Sequence, residues 1–392
     1  MKVAIITERA EVALGGAERS VQELAEAISC LGAEVKTVAA TGTPYTQHTH
    51  ILFRKEREKR VSYSAFSKAL KRYLSENDFD IVHSVLPLDS ADVYQPRGGS
   101  YPEAVRRNIV SYENKTVRKY KTLTASMNFR RAQLVRAERA VALNQPDTIV
   151  ATLSNYVARQ FKKYYAIADE RLVVIHNGIS FRQRPTTEQV DKKRSEIMDY
   201  FGLKEADESV FFLFAGHNFR LKGLYCLIKA FAVSIQNRPG CQAYLVIAGR
   251  GKQGRYRRLA ERMCVEGRMF FTGPVADIQE LLGVTDVAVL PTFYDPCSRF
   301  ILEALAECRP VITSGFNGAA ELFTDGRHGL VVDEPRDTQA LAAAITHFTH
   351  SKNIAASSEH IAADDISTKV SIKTAAEKLE NLYETILKRR GH

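Results

Sequence analysis

The feature that most constrains this chain is an alternation. Short apolar runs rich in valine, isoleucine and phenylalanine take turns with amphipathic stretches of helical period along most of its 392 residues. The runs read as strands and the longer periodic stretches as helices. Strands are expected at 3–7, 35–39, 81–85, 148–152 and 171–175, with helices near 17–31, 64–74, 126–143 and 155–165. A long irregular, basic stretch is expected before the third of these helices. A break follows at 176–184, where Asn177-Gly178 is a turn dipeptide and Pro185 opens a polar stretch. A second series then places strands at 210–215, 243–248, 269–272, 287–290, 311–313 and 330–332, and a final amphipathic helix near 373–388.

Strands that alternate with helices form parallel βαβ units and doubly wound sheets. Two such series parted by a turn-rich linker predict an α/β protein of two Rossmann-like domains, 1–180 and 181–372, facing each other across a cleft. The length agrees, at about 100–200 residues per domain. Ligands of such sheets bind beyond the carboxyl ends of the strands, so the loops that leave strands are where chemistry is expected.

Composition closes several other classes. No segment approaches the ~18 consecutive apolar residues of a membrane span. The opening MKVAIITER is charged too soon for a secretory leader and reads as a first strand. Six scattered cysteines without CxxC spacing point to reduced thiols in the cytosol, not to a disulfide framework or a structural zinc. The net charge of +10 is uneven: residues 52–139 carry 19 Lys and Arg against 10 Asp and Glu. A localised basic field attracts something anionic, such as nucleic acid, anionic lipid or a phosphorylated acceptor, or it is simply a solvated surface.

Four loops stand out. Leu14-Gly15-Gly16-Ala17-Glu18 joins the first strand to the first helix, where glycines allow close backbone approach and a helix N-terminus favours an anion. In the second series, Gly216-His217-Asn218-Phe219-Arg220-Leu221-Lys222-Gly223 follows a strand, and Arg220 and Lys222 could grip a diphosphate. Lys222 has no evident side-chain partner in the sequence. Gly249-Arg250-Gly251-Lys252-Gln253-Gly254 satisfies GxGxxG, but it follows a second strand and precedes a basic run. It is therefore expected to be a plain turn and not a dinucleotide site. The most specific loop runs from Pro291 through Asp295 to Ser298, a plausible N-cap of a helix reaching about Cys308. The N–H groups of Arg299 and Phe300 would face a phosphate, Asp295 could accept from sugar hydroxyls, and Glu303 from a ribose diol.

Asp295-x7-Glu303 followed by Ala-Leu-Ala resembles the Glu-x7-Glu motif of the retaining nucleotide-sugar glycosyltransferases of the GT-B fold, family four. Pro310–Ser314 with Asn317-Gly318-Ala-Ala-Glu321, Gly15-Gly16-Ala-Glu and Ile175-His-Asn-Gly-Ile resemble other segments of that family. Asp92-Val-Tyr94, the basic stretch 97–121 and Phe129 to Val141 are similar to an acceptor-side insertion in its lipopolysaccharide-core branch. The sequence departs from the family at Asp295 in place of Glu, at Gly216-His217-Asn218 in place of Gly-Arg-Leu, and at Ser180.

The resemblance implies a GT-B fold whose closing segment, 373–392, packs back on the first domain. It implies that Gly15 and Gly16 let the backbone meet the donor diphosphate, and that Arg220 and Lys222 neutralise the leaving group. Val275 would read the base through its backbone, Asp295 would hold the transferred sugar, and the Ser298–Phe300 backbone, through Arg299, would hold sugar and phosphate. Glu303 would hold the ribose. His83 would either line the acceptor site or be a packed strand-end histidine. The implied reaction moves a sugar from a nucleotide-sugar donor to a lipid-linked or lipopolysaccharide-core-type saccharide, with no cofactor and no metal. The implied partners are donor, glycolipid or oligosaccharide acceptor and an anionic membrane surface, with no nucleic acid, for an enzyme peripheral on the cytoplasmic face of the plasma membrane. The rival reading is a degenerate GT-B protein that holds a polyanion on its basic half, although no nucleic-acid motif is recognised.

Overall fold

The computed structural model describes residues 1–11, 16–44, 46–53, 61–181, 185–204 and 208–391. Among these, the chain divides into two compact units. The first comprises Met1–Ile109, Glu113–Ser180 and Ser371 onward; the second comprises Phe181–Val370 with Val110–Tyr112.

The first unit holds a seven-stranded parallel sheet. Its strands are β1 (Lys2–Ala10), β2 (Glu34–Gly42), β3 (Thr49–Ile51), β4 (Ile81–Ser84), β5 (Val93–Tyr94), β6 (Ile149–Thr152) and β7 (Leu172–Val174). Their spatial order is 3-2-1-4-5-6-7, so the winding direction turns between β1 and β4. The second unit holds β8 (Val210–Ala215), β9 (Ala243–Ala248), β10 (Met269–Gly273), β11 (Val287–Leu290), β12 (Val311–Ser314) and β13 (Gly329–Val332). The order here is 10-9-8-11-12-13, with the turn between β8 and β11. Continuous apolar runs were the right signal because helices cover both faces: Val3 to Ile6 and Leu245 to Ile247 have no exposed surface. The two Rossmann-like sheets match the expected fold class.

The closing helix Ile372–Arg390 belongs to the first unit and packs on the first helix, Gly16–Cys30. Ala376, Leu379, Tyr383 and Ile386 bury against Val21, Leu24, Ile28 and the strand residues Val3 and Ile5. His83, on β4, is fully buried and its Nδ1 shares a hydrogen bond with the Tyr383 hydroxyl. Of the two sequence readings, the structure gives the packed strand-end histidine, with no surface to offer an acceptor.

The stretch expected to be irregular is helical at Tyr101–Val110 and Lys115–Leu123. The periodicity failed because neither helix buries an apolar stripe: the first buries Glu103, and the second buries no residue at all. Buried carboxylates hold this region in place of an apolar core. Glu138, on the helix Phe129–Asn144, has no exposed surface and accepts from the Tyr101 N–H (2.8 Å) and the hydroxyls of Tyr94 (2.8 Å) and Tyr165 (2.7 Å). Burial outweighs those donors and raises its pKa to about 7. Glu103 binds Arg106, Arg107 (2.8 Å) and the Tyr164 hydroxyl (2.6 Å), and these bonds outweigh burial and lower its pKa to about 2. The polar stretch after Pro185 also proves helical, at Thr187–Phe201. A capping box between Thr186 and Gln189 starts it, and Ile197 and Met198 bury its last turns.

Taken alone, the buried His83 favours the folded first unit at neutral over acid pH. Burial, aided by the charge of Arg97, pushes its pKa down to about 3, against about 6.5 when unfolded. Its contribution is therefore complete above pH 6.5 and is lost as pH falls toward 3, at up to ~1.4 kcal/mol per pH unit. Glu138, whose pKa is raised in the same unit, acts in the opposite direction between pH 7 and pH 5, so the test is a difference: the urea midpoint of His83→Gln relative to the unchanged protein should rise as pH falls from 7 to 5. An equal slope in the variant would refute the assignment.

Candidate functional site

In the second unit β8 and β11 are neighbours at the point where the strand order turns. The loops that leave their carboxyl ends, 216–223 and 291–298, therefore lie side by side, the place where an open α/β sheet forms its crevice. Backbone and hydroxyl bonds join them. The Phe293 N–H donates to the Leu221 carbonyl at 2.8 Å, and the Thr292 hydroxyl reaches the same oxygen at 3.2 Å. Within the first loop, Asn218 Oδ1 accepts from the Leu221 N–H at 3.2 Å and the Asn218 carbonyl from the Lys222 N–H at 2.9 Å.

This join brings Lys222 and Asp295 together. The Lys222 ammonium forms an ion pair with Asp295 Oδ2, with side chains 22% and 13% exposed. The expectation that Lys222 lacks a partner is thus corrected: the partner is 73 residues on and reached only through the sheet. Arg220 lies with its guanidinium 3.7 Å from the Tyr112 ring centroid and donates to the Ser111 hydroxyl, both in the segment Val110–Tyr112 that belongs with this unit.

Ser298 stands at the N-cap of the helix Arg299–Ala306 as expected, but its side chain makes no capping bond. Its N–H donates to Asn317 Oδ1 at 3.1 Å. That N–H is engaged within the loop in this structure. The helix ends earlier than expected, before Cys308, which adopts positive φ. Phe300 is a core side chain, so only its backbone can serve a ligand. Arg299 and Glu303 pair across one helical turn at 3.3 Å, both nearly buried. Val275 lies in the loop after β10, the edge strand, and is partly buried. In the first unit Gly16 opens the first helix and is exposed, whereas Gly15 lies outside the described residues.

The GxGxxG segment is a packing device. A Cβ on Gly249, at φ +138°, would stand 1.9 Å from the Gly216 carbonyl oxygen, and one on Gly251 would stand 2.2 Å from the Phe219 ring. These glycines let the loop after β9 press against the loop after β8, with Phe219 buried beneath. Gly251→Ala should therefore destabilise by ~1–3 kcal/mol as overpacking does, lowering the second unit's unfolding midpoint by several degrees. An unchanged midpoint with lost nucleotide affinity would instead make the loop a binding element.

The residue that sequence reasoning passed over is Asn317. It was visible only as part of a strand–loop–helix segment, and no spacing rule singles out its amide. The hydroxyls of Thr292, Thr313 and Ser314, all without exposed surface, were equally silent.

Comparison with known proteins agrees with this architecture. Residues 209–351 match a family model described as glycosyl transferases group 1, and residues 14–183 match one described as glycosyltransferase family 4. The lipopolysaccharide glucosyltransferase WaaG of Escherichia coli strain K12 is 23% identical over 339 residues, covering 83% of this chain and 84% of that protein. The crystal structure of WaaG superposes with a TM-score of 0.75 at 21% identity, over 97% of this chain and 99% of that one. Anabaena HepE, solved in complex with UDP-glucose, superposes with a TM-score of 0.68 at 15% identity, over 98% and 100% of the two chains. Both halves of the sequence match glycosyltransferase models and the fold is shared from end to end, so the chain belongs to the family-four glycosyltransferases of the GT-B fold.

Proposed function

We propose that this glycosyltransferase is retaining and moves a sugar from a nucleotide-sugar donor to a lipid-linked or lipopolysaccharide-core-type saccharide. The observation that carries this reading is the Lys222–Asp295 pair on two joined loops at the strand-order turn of the second sheet. A diphosphate and the sugar attached to it need a cation and a hydroxyl acceptor side by side, and this pair supplies both. Support for the donor and acceptor classes comes from HepE, solved with UDP-glucose, and from WaaG, a lipopolysaccharide glucosyltransferase.

In this reading catalysis is electrostatic. The bond from the anomeric carbon to the phosphate oxygen breaks, and the acceptor hydroxyl attacks from the same face and passes its proton to the leaving phosphate. Lys222 and Arg220 offset the growing charge on the diphosphate, a role that oriented cations fill effectively in a site shielded from water. Asp295 orients the sugar through its hydroxyls and Glu303 the ribose. No metal or organic cofactor takes part in this scheme, so activity should survive a chelator.

Release of nucleoside diphosphate from UDP-, GDP- and ADP-glucose, with and without a lipopolysaccharide-core saccharide, tests the reading. Lys222→Ala should cost ten- to a thousandfold in rate, the range for one transition-state electrostatic contact. Unchanged turnover would refute the role. Calorimetry divides the carboxylates: Glu303→Gln should weaken nucleoside diphosphate binding, whereas Asp295→Asn should slow transfer and largely spare that affinity. The opposite pattern would reverse the two assignments.

We further propose that the enzyme works as a peripheral protein on an anionic, cytoplasmic membrane face. Among the described residues no helix is long and apolar enough to cross a membrane. The supporting feature is a patch running from the helix Lys115–Leu123 into the next helix. Tyr120, Leu123, Met127 and Phe129 are 61–79% exposed beside Lys115, Lys119 and Lys121. Apolar side chains of this kind enter the headgroup boundary, and each nearby Lys or Arg adds about 1 kcal/mol on an anionic surface. Arg106 and Arg107 do not belong to this patch, since both are committed to Glu103. Co-sedimentation with phosphatidylglycerol vesicles should fall with salt, and fall further when Lys119, Lys121, Leu123 and Phe129 are changed to serine. Equal binding to phosphatidylcholine vesicles would defeat the electrostatic part, and no binding to either would defeat the whole.

A further inference from the structure

The loops after β11 and β12 touch along their whole turn. The Asp295 N–H donates to the Phe316 carbonyl at 2.9 Å, and the Gly318 N–H donates to the Asp295 carbonyl at 2.9 Å, a parallel bridge between Asp295 and Asn317. Asn317 sits at the centre with 2% of its surface exposed. Its Oδ1 accepts from the N–H groups of Ser298 and Ala319, each at 3.1 Å. Its Nδ2 donates to the Thr313 hydroxyl at 2.9 Å, which donates onward to the Leu290 carbonyl at 2.9 Å. One side chain therefore ties the start of the helix Arg299–Ala306, the turn at Gly318–Leu322 and the ends of β11 and β12 into one piece. The backbone of Asp295 is clamped between these ties, and its side chain carries the pair with Lys222.

We propose that Asn317 is a positioning residue for sugar transfer: it holds the Asp295 loop so that the carboxylate faces the Lys222 ammonium and the donor sugar. This rests on the donor-site reading above. The amide is suited to the task because its Oδ1 accepts from two N–H groups while its Nδ2, held at a fixed distance from it, donates to a hydroxyl. A buried hub of this kind acts through geometry, and small displacements of a catalytic group cost large factors in rate. Its effect should therefore appear in turnover and pass through Asp295, while nucleoside diphosphate binding stays.

The test uses the full chain with whichever of UDP-, GDP- or ADP-glucose it cleaves fastest, measuring kcat, KM, the dissociation constant of the matching diphosphate and the unfolding midpoint. Asn317→Ala should lower kcat at least tenfold with diphosphate affinity changed less than threefold. Asn317→Asp keeps the double acceptor but loses the donor to the Thr313 hydroxyl, so it should recover part of the loss. Asn317→Ala combined with Asp295→Asn should be no slower than Asp295→Asn alone, because residues that act as a unit are not additive. Losses that multiply, or a diphosphate affinity that falls in step with kcat, would overturn the inference while leaving the donor site intact. An Asp295→Asn enzyme of full activity would overturn the donor-site reading itself and this inference with it.

Discussion

Burial of both faces of a parallel sheet leaves the strand ends as the one place where polar groups can gather. Each backbone N–H and C=O inside the sheet is spent on its neighbours, and the side chains are apolar on both sides. In the second unit the order 10-9-8-11-12-13 parts the loops of β8 and β11 toward opposite helical layers, so the chemistry collects there. Lys222 and Asp295 meet at that point because their strands pair, although nothing in their local sequence links them. The pairing of β8 with β11 is the constraint on which the candidate site depends.

The polar framework around that site is built from hydroxyls and one amide, all buried. Ser314 donates to the Thr292 carbonyl, Thr292 to the Leu221 and Tyr294 carbonyls, and Asn317 spans Ser298, Ala319 and Thr313. A fully satisfied buried network rigidifies, because every alternative arrangement leaves a donor or acceptor unpaired at ~1–3 kcal/mol. The helical insertion of the first unit solves a different problem with charges. Its helices bury few apolar groups, and Glu138 and Glu103 hold them through tyrosine hydroxyls, arginines and a helix N-terminus. Anchored that way, the segment can expose Tyr120, Leu123, Met127 and Phe129 without losing its fold.

How much of this was legible follows from how local each signal is. Strands such as 210–215, 243–248 and 287–290 coincide residue for residue with the observed elements, since a strand buried on both faces is a continuous apolar run. The helices Tyr101–Val110 and Lys115–Leu123 were missed because their stability comes from a distant carboxylate and a side-chain cap, not from a stripe of their own. The GxGxxG at 249–254, read as a plain turn because of its place in the second βα unit, serves packing against Phe219. Asp295, Lys222 and Glu303 were chosen from spacing and resemblance, and only the first two are brought into contact.

The sequence by itself determined the α/β class, the two series of βα units and the residue types available at the strand ends, because hydrophobic periodicity and turn chemistry act over a few residues. The tertiary structure alone decided which of those residues meet. Strand order placed Lys222 on Asp295, the return of the last helix buried His83 under Tyr383, and the contact of two loops spent the Ser298 N–H on Asn317. Those outcomes depend on pairings between strands and helices tens to hundreds of residues apart. Such pairings are selected by the joint burial of whole faces, and no local pattern encodes them.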